Sequence, residues 1–242
     1  MFCYQCQETA KGSGCTIKGI CGKNDEVAAL QDLLIYLLKG IAIYGVRAME
    51  LEIADPEADS FVAQALFSTI TNANFDPQRF VSLVERALAL REGLAKRVLA
   101  GYERAHGETF SEELPGMATW VPTKGDLPEF LEKGRGVGVM ANPDLDEDVR
   151  SLRELLIYGL KGLGAYLHHA EVLGFRDDGV SAFLHEALAA SADDTATVER
   201  ALAMVQRCGQ MGVEAMALLD RANTAAYGDP EPTQVNLGVR EG

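Results

Sequence analysis

Several things are scarce in this chain of 242 residues, and each scarcity excludes something. Lysine and arginine number 22 against 36 acidic residues, a formal charge of -14. Nucleic acid is therefore excluded as a partner, because gripping phosphate needs a basic face. No unbroken apolar run approaches the roughly 20 residues that span a bilayer, and the longest, Leu33 to Ile43, is interrupted by Lys39. The start Met-Phe-Cys shows no basic, apolar and small-residue succession of a signal peptide, so the expected location is the cytoplasm, with no membrane partner. Aromatic residues make up only 7%, while alanine and leucine abound, which favours helices. No phosphate-binding glycine loop follows a strand pattern, and His106, His168, His169 and His185 show no H-x-x-x-H spacing.

Cysteine is also sparse, with five in all, yet four fall within the first twenty-one residues. Cys3, Cys6, Cys15 and Cys21 are spaced C-x2-C-x8-C-x5-C. Two thiolates two residues apart can bite one metal from a single turn, and two more complete a four-sulfur shell. Soft thiolates select zinc or iron-sulfur. Gly12, Gly14, Gly19 and Gly22 let backbone amides approach sulfur, and Lys11, Lys18 and Lys23 add positive charge to an acidic chain. Both features suit an anionic iron-sulfur cluster. The knot is too short for the hairpin or helix that zinc fingers interleave with their ligands, although zinc stays open. A disulfide framework also stays open, and it requires an exported chain.

The fifth cysteine, Cys208, stands alone in the last helical stretch and reads as a small buried side chain. Trp120 reads as a staple holding a connector to the bundle. His168 and His169, about 100° apart on a helix, are poorly placed to share one metal, and at least one is expected to pack at an interface.

The rest of the chain reads as helical scaffold, and its main feature is an internal repeat. LQDLLIYLLKGIAIYGVRAMELEI, from Leu30 to Ile53, recurs 122 residues later as LRELLIYGLKGLGAYLHHAEVLGF, from Leu152 to Phe175. Each copy is followed by a shorter helical stretch and a long one. A first helix runs from a cap at Asn24 or Asp25 to about Leu51, a second over Asp59 to Thr71, and a third from Pro77 to about Arg104. The connector is rich in proline and glycine, with a short helix near Leu127 to Lys133. Asp144 to Asp148 supplies caps for the second copy. Gly40 and Gly162, mid-helix in the two copies, are expected at close helix crossings. The expected fold is all-α: a cysteine loop over 1–24, a three-helix unit over 25–105, a connector over 106–148, a related three-helix unit over 149–226, and a tail over 227–242 that ends in an unpaired strand-like stub, TQVNLGVREG.

The opening MFCYQCQETAKGSGCTIKGICGK resembles that of the hybrid-cluster proteins, also called prismane proteins or hydroxylamine reductases, in the subtype with short cysteine spacing. The similarity continues through LQDLLIYLLKGIAIYG, FSTITNANFD, DVRSLRELLIYGLKG and YGDPEPTQVN, and so covers essentially the whole chain. It implies a [4Fe-4S] cluster on Cys3, Cys6, Cys15 and Cys21, in that family's amino-terminal helical domain. It further implies that hydroxylamine or nitric oxide is reduced at a second, oxygen-containing iron-sulfur centre held by histidine, glutamate and cysteine ligands of later domains. Those ligands lie beyond Gly242. The leading expectation is thus an electron-transfer domain served by a soluble electron-donor protein. The alternatives are a fragment of a full-length reductase, or a zinc- or cluster-stabilised interaction module that pairs with itself, as a homodimer, through an exposed helical face.

Overall fold

The computed structural model describes residues 1–10, 14–70, 73–235 and 238. Among the described residues eight α-helices follow a 3-10 turn at Gln7–Thr9: α1 (Asp25–Glu50), α2 (Pro56–Ser68), α3 (Pro77–His106), α4 (Gly116–Thr119), α5 (Leu127–Gly136), α6 (Glu147–Val172), α7 (Asp178–Ala190) and α8 (Val198–Tyr227). The fold is all-α. Among the described residues the only extended pairing is an isolated antiparallel bridge between Cys3 and Cys15.

Local chemistry sets the helix ends. The side chain of Asn24 accepts from the Val27 amide at 2.9 Å, and Asp25 and Glu26 follow in the first turn, where the helix dipole favours negative charge. α2 starts three residues before the expected Asp59 because Asp55 caps it and Pro56 occupies the first position. It ends at Ser68, where the Thr69 hydroxyl turns back onto the Leu66 carbonyl at 2.8 Å. Asp76 and Pro77 open α3 as their order suggests, and Gly107, at φ 73°, closes it in the left-handed conformation.

The duplication extends well beyond the matching letters. α1, α2 and α3 have 26, 13 and 30 residues, and so do α6, α7 and α8. Asp177 caps α7 as Asp55 caps α2. Ser191 closes α7 through the Leu188 carbonyl at 2.7 Å, as Thr69 closes α2. Lys39 Nζ of α1 donates to the Ser191 carbonyl, and Lys161 Nζ of α6 to the Thr69 carbonyl, each at 3.4 Å. Each short helix packs on the long first helix of the other copy, α7 on α1 and α2 on α6, while α3 and α8 stay with their own. One contiguous core results, running from Leu30 through Phe61, Phe80 and Leu160 to Phe183.

By length and composition α1 is apolar enough to cross a bilayer, because Lys39 interrupts the run without lowering its average much. Of its most apolar stretch 78% is buried inside the protein, so that apolar surface is spent on the core.

The connector closes over α1. Arg91 of α3, only 4% exposed, donates Nη1 to the Met117 carbonyl at 2.8 Å and Nη2 to the Trp120 carbonyl. Trp120 packs against the core with the Lys133 ammonium 5.3 Å from its ring centre. Replacing Arg91 by Met leaves two carbonyls without their charged donor, which costs about 2 kcal/mol. Since Trp120 is the only tryptophan, its emission is expected to shift to the red in that variant, and an unchanged spectrum would mean that the connector is held by other contacts.

Gly40 and Gly162 part company. A β-carbon on Gly40 would lie 2.7 Å from the carbonyl carbon of Met117 in α4, whereas one on Gly162 meets nothing within 4 Å. The expectation of a close crossing at both is corrected: α4 fills that position on α1, and on α6 the same position opens onto a groove beside α8. The strand-like stub expected over 233–242 lies mostly outside the described residues. Residues 228–235 form neither helix nor strand, and Asn236, Leu237 and 239–242 lie outside the described residues.

Candidate metal centre

The loop ahead of α1 brings its four cysteines to one end of the molecule. All four are free thiols and partly buried. Cys3 and Cys15 face each other across the isolated bridge, with the Phe2 amide donating to the Cys15 carbonyl at 2.9 Å. The turn after Cys6 is fastened by the Thr9 amide and hydroxyl, both donating to the Cys6 carbonyl, at 3.0 and 2.9 Å. The Cys21 turn is fastened by Gly19, whose amide reaches the Lys23 carbonyl at 2.7 Å, and by Gly22 at φ 98°. A β-carbon on Gly19 would sit 2.8 Å from the Lys23 carbonyl oxygen and 3.3 Å from Cys21 Sγ, so only glycine lets that sulfur lie so close to the backbone.

Among the described residues no three His, Cys, Asp or Glu side chains are gathered closely enough to hold a metal ion. The thiols share one loop without forming one coordination shell. What surrounds them nevertheless suits a soft, anionic centre. Lys23 is 2% exposed, and its Nζ donates to Gln31 Oε1 at 2.5 Å and lies 3.9 Å from Cys3 Sγ. A buried ammonium is stable only with a partner rich in electrons, and Cys3 Sγ lies within its reach. Gln31, fully buried in α1, also carries an amide nitrogen with no acceptor among the described residues, and Gln5 beside it carries an orphaned buried oxygen. Lys11 and Gly12 lie outside the described residues, while Lys18 is exposed. Ile17 and Ile20, 93% and 76% exposed, stand out between Cys15 and Cys21.

Beneath the loop lies α6. A cavity of about 280 Å³ separates them, lined by Tyr4 and Cys6 on one side and by Glu154, Tyr158 and Lys161 on the other. Lys161 is 3% exposed; burial, then the neighbouring Lys23, pull its ammonium down to about 8. The half-buried Asp32 of α1 is pushed up to about 7 by burial, against the pull of Lys161 and other cations.

Between the ordinary carboxyl value of 3.8 and about 7 the folded protein keeps a proton on Asp32 that the unfolded chain has released. The contribution of the neutral carboxyl is therefore fully present below the lower value and is lost as pH rises through the upper one. Asp32→Asn is expected to gain stability relative to the parent as pH rises from about 4 to about 8. Urea midpoints of both proteins at the two ends test this, and a constant difference between them would refute it.

The remaining residues singled out from the sequence stay apart from this end. Cys208 is buried beside Gly159, its thiol pushed up to about 11 by burial. His168 and His169 pack on Phe67, with ring centres 5.9 and 5.1 Å away. His185 was not distinguished by the sequence, yet it is buried and its Nε2 lies 2.8 Å from Asp59 Oδ1, a pairing across 126 residues that local spacing could not reveal.

A hydroxylamine reductase of Nitratidesulfovibrio vulgaris is 54% identical over 239 residues, covering 99% of this chain and 42% of the relative. Those of Halothermothrix orenii and Clostridium tetani are 52% and 48% identical, over 99% of this chain and 42% and 45% of the relatives. The chain thus spans under half the length of these curated relatives. The Prismane/CO dehydrogenase family matches it over residues 1–242, and to that family the chain belongs.

Proposed function

We propose that this chain is an electron-transfer domain of a hydroxylamine reductase type of oxidoreductase, holding one [4Fe-4S] cluster on Cys3, Cys6, Cys15 and Cys21. When bound, such a cluster accepts and releases one electron. The observation that carries the reading is the buried Lys23 ammonium 3.9 Å from Cys3 Sγ, a cation placed for a thiolate, in a loop with four free cysteines. The loop supplies sulfur donors, Lys23 offsets their negative charge, and α1 directs its positive end toward them. No catalytic step is assigned to this chain, and the reduction of hydroxylamine belongs to the longer protein that the relatives exemplify. Exposed Ile17 and Ile20 beside the cysteines offer a soluble donor protein an apolar foothold close to the cluster. A reductive titration of the anaerobically reconstituted chain is expected to bleach its visible absorption with about one electron per chain. Absorption that no reductant changes would reject electron transfer.

A second reading, self-association, is favoured by the apolar face along α6 and α8, where Leu155, Tyr158 and Tyr166, 52%, 58% and 38% exposed, line a groove of about 270 Å³. Patches of this kind usually mark interfaces. Light scattering at micromolar concentration is expected to give twice the 26.1 kDa chain mass, and the single-chain mass would dismiss the pairing.

A further inference from the structure

Two ammonium groups are buried at the cysteine end, and they come from different elements. Lys23 closes the loop itself, whereas Lys161 rises from the middle of α6, 138 residues away, where a lysine flanked by Leu160 and Leu163 interrupts an apolar face. The protein partners of both are neutral groups. Lys23 has the Gln31 oxygen at 2.5 Å and Lys161 has the Thr69 carbonyl at 3.4 Å. The acids within electrostatic reach of Lys161 are Glu154 of α6 and Asp32 of α1, and burial drives Asp32 toward its neutral form. In a protein with a formal charge of -14, this corner has collected positive charge out of reach of water. Burying unpaired charge is costly, so the arrangement makes physical sense where an anion sits between the two lysines. The cysteine loop occupies that place: Cys3 touches Lys23, and Cys6 shares a cavity with Lys161.

We propose that Lys161, acting with Lys23, is the built-in counter-ion of the thiolate-bound cluster and raises its reduction potential. This rests on the reading of the loop as a cluster holder. Reduction adds one negative charge to the cluster, and a fixed cation nearby stabilises the reduced form more than the oxidised one. Lys161 is thus a positioning residue for charge and contacts no reacting atom.

The internal repeat provides a control within the same molecule. Lys39 is the counterpart of Lys161, and it makes the same bond to the end of the opposite short helix, at the same 3.4 Å. Its cavity is closed by the connector residues Val137, Gly138 and Asn142, whereas that of Lys161, in the second copy, is closed by the cysteine loop. If Lys161 served packing alone, removing its charge would act as removing that of Lys39 does.

The test is an anaerobic redox titration followed by EPR, on the whole chain, for the parent protein, Lys161→Gln, Lys161→Arg and Lys39→Gln. Glutamine keeps a donor for the Thr69 carbonyl while removing the charge. In Lys161→Gln the reduced-to-oxidised ratio at a fixed potential is expected to fall about tenfold, equivalent to about 59 mV for one electron. Lys161→Arg is expected to stay near the parent value, and Lys39→Gln to lose comparable thermal stability without moving the potential. A Lys161→Gln protein with full iron content and the parent potential would overturn the counter-ion role and leave the loop reading intact. A parent protein that takes up no iron would overturn both. Should Lys161→Gln not fold, Lys23→Gln carries the same expectation for the potential, and an unchanged value there overturns the proposal.

Discussion

Cys15→Ser is expected to abolish cluster binding while leaving the helices in place. Anaerobically reconstituted parent protein should hold about four irons per chain, and the variant under about one. The reason lies in what Cys15 contributes. Its backbone carbonyl accepts the Phe2 amide at 2.9 Å and its backbone pairs with Cys3, and neither bond involves the side chain. The loop path therefore survives the substitution and only one sulfur is lost. A serine hydroxyl stays protonated near neutral pH, so it neither carries the negative charge nor has the soft character that iron-sulfur ligation requires. Far-ultraviolet circular dichroism should be unchanged, because the helical core lies beyond the loop. Cys208→Ser is the matched control. That thiol is buried and its ionisation is pushed up to about 11, so iron content should match the parent. Equal iron in Cys15→Ser and the parent would mean that the loop does not use this sulfur.

Gly40→Ala and Gly162→Ala, at matching positions of the two copies, are expected to change stability in opposite directions. A methyl on Gly40 runs into the Met117 carbonyl, which is backbone and is fixed by Arg91 at 2.8 Å. Either α4 lifts off α1 or α1 bends, and overpacking of this kind costs about 3 kcal/mol. A methyl on Gly162 meets nothing, so the substitution should instead raise stability by about 1 kcal/mol, the ordinary advantage of alanine over glycine within a helix. Thermal melts of the two variants beside the parent check both signs. Two losses of equal size would show that α6 is as tightly covered as α1.

The sequence exposes the elements of this protein better than their arrangement. The starts at Asn24 and Asp76 are legible because these side chains cap through bonds to residues two or three positions away, and Asp55 and Asp177, passed over in the sequence, cap α2 and α7 in the same way. The repeat is legible because the same core contacts are made twice. The exchange of short helices, α7 on α1 and α2 on α6, is not, since both short helices present similar apolar faces and either pairing buries them. Gly162 misleads for the same reason: identical local sequence in the two copies meets α4 on one side and an open groove on the other. At the candidate metal centre the cysteine spacing and Lys23 can be read directly. Lys161 cannot, although one signal was present. A lysine recurring within an apolar face, as Lys39 and Lys161 do in the two LKG segments, marks a buried charge, and a buried charge requires a partner.

The central claim is tested most directly by metal analysis, together with EPR, of protein purified without oxygen and never reconstituted. About four irons per chain, little zinc and a paramagnetic signal appearing on reduction are the results expected of a cubane on the four cysteines. Colourless protein carrying one zinc or no metal, with no signal at any potential, would contradict the account.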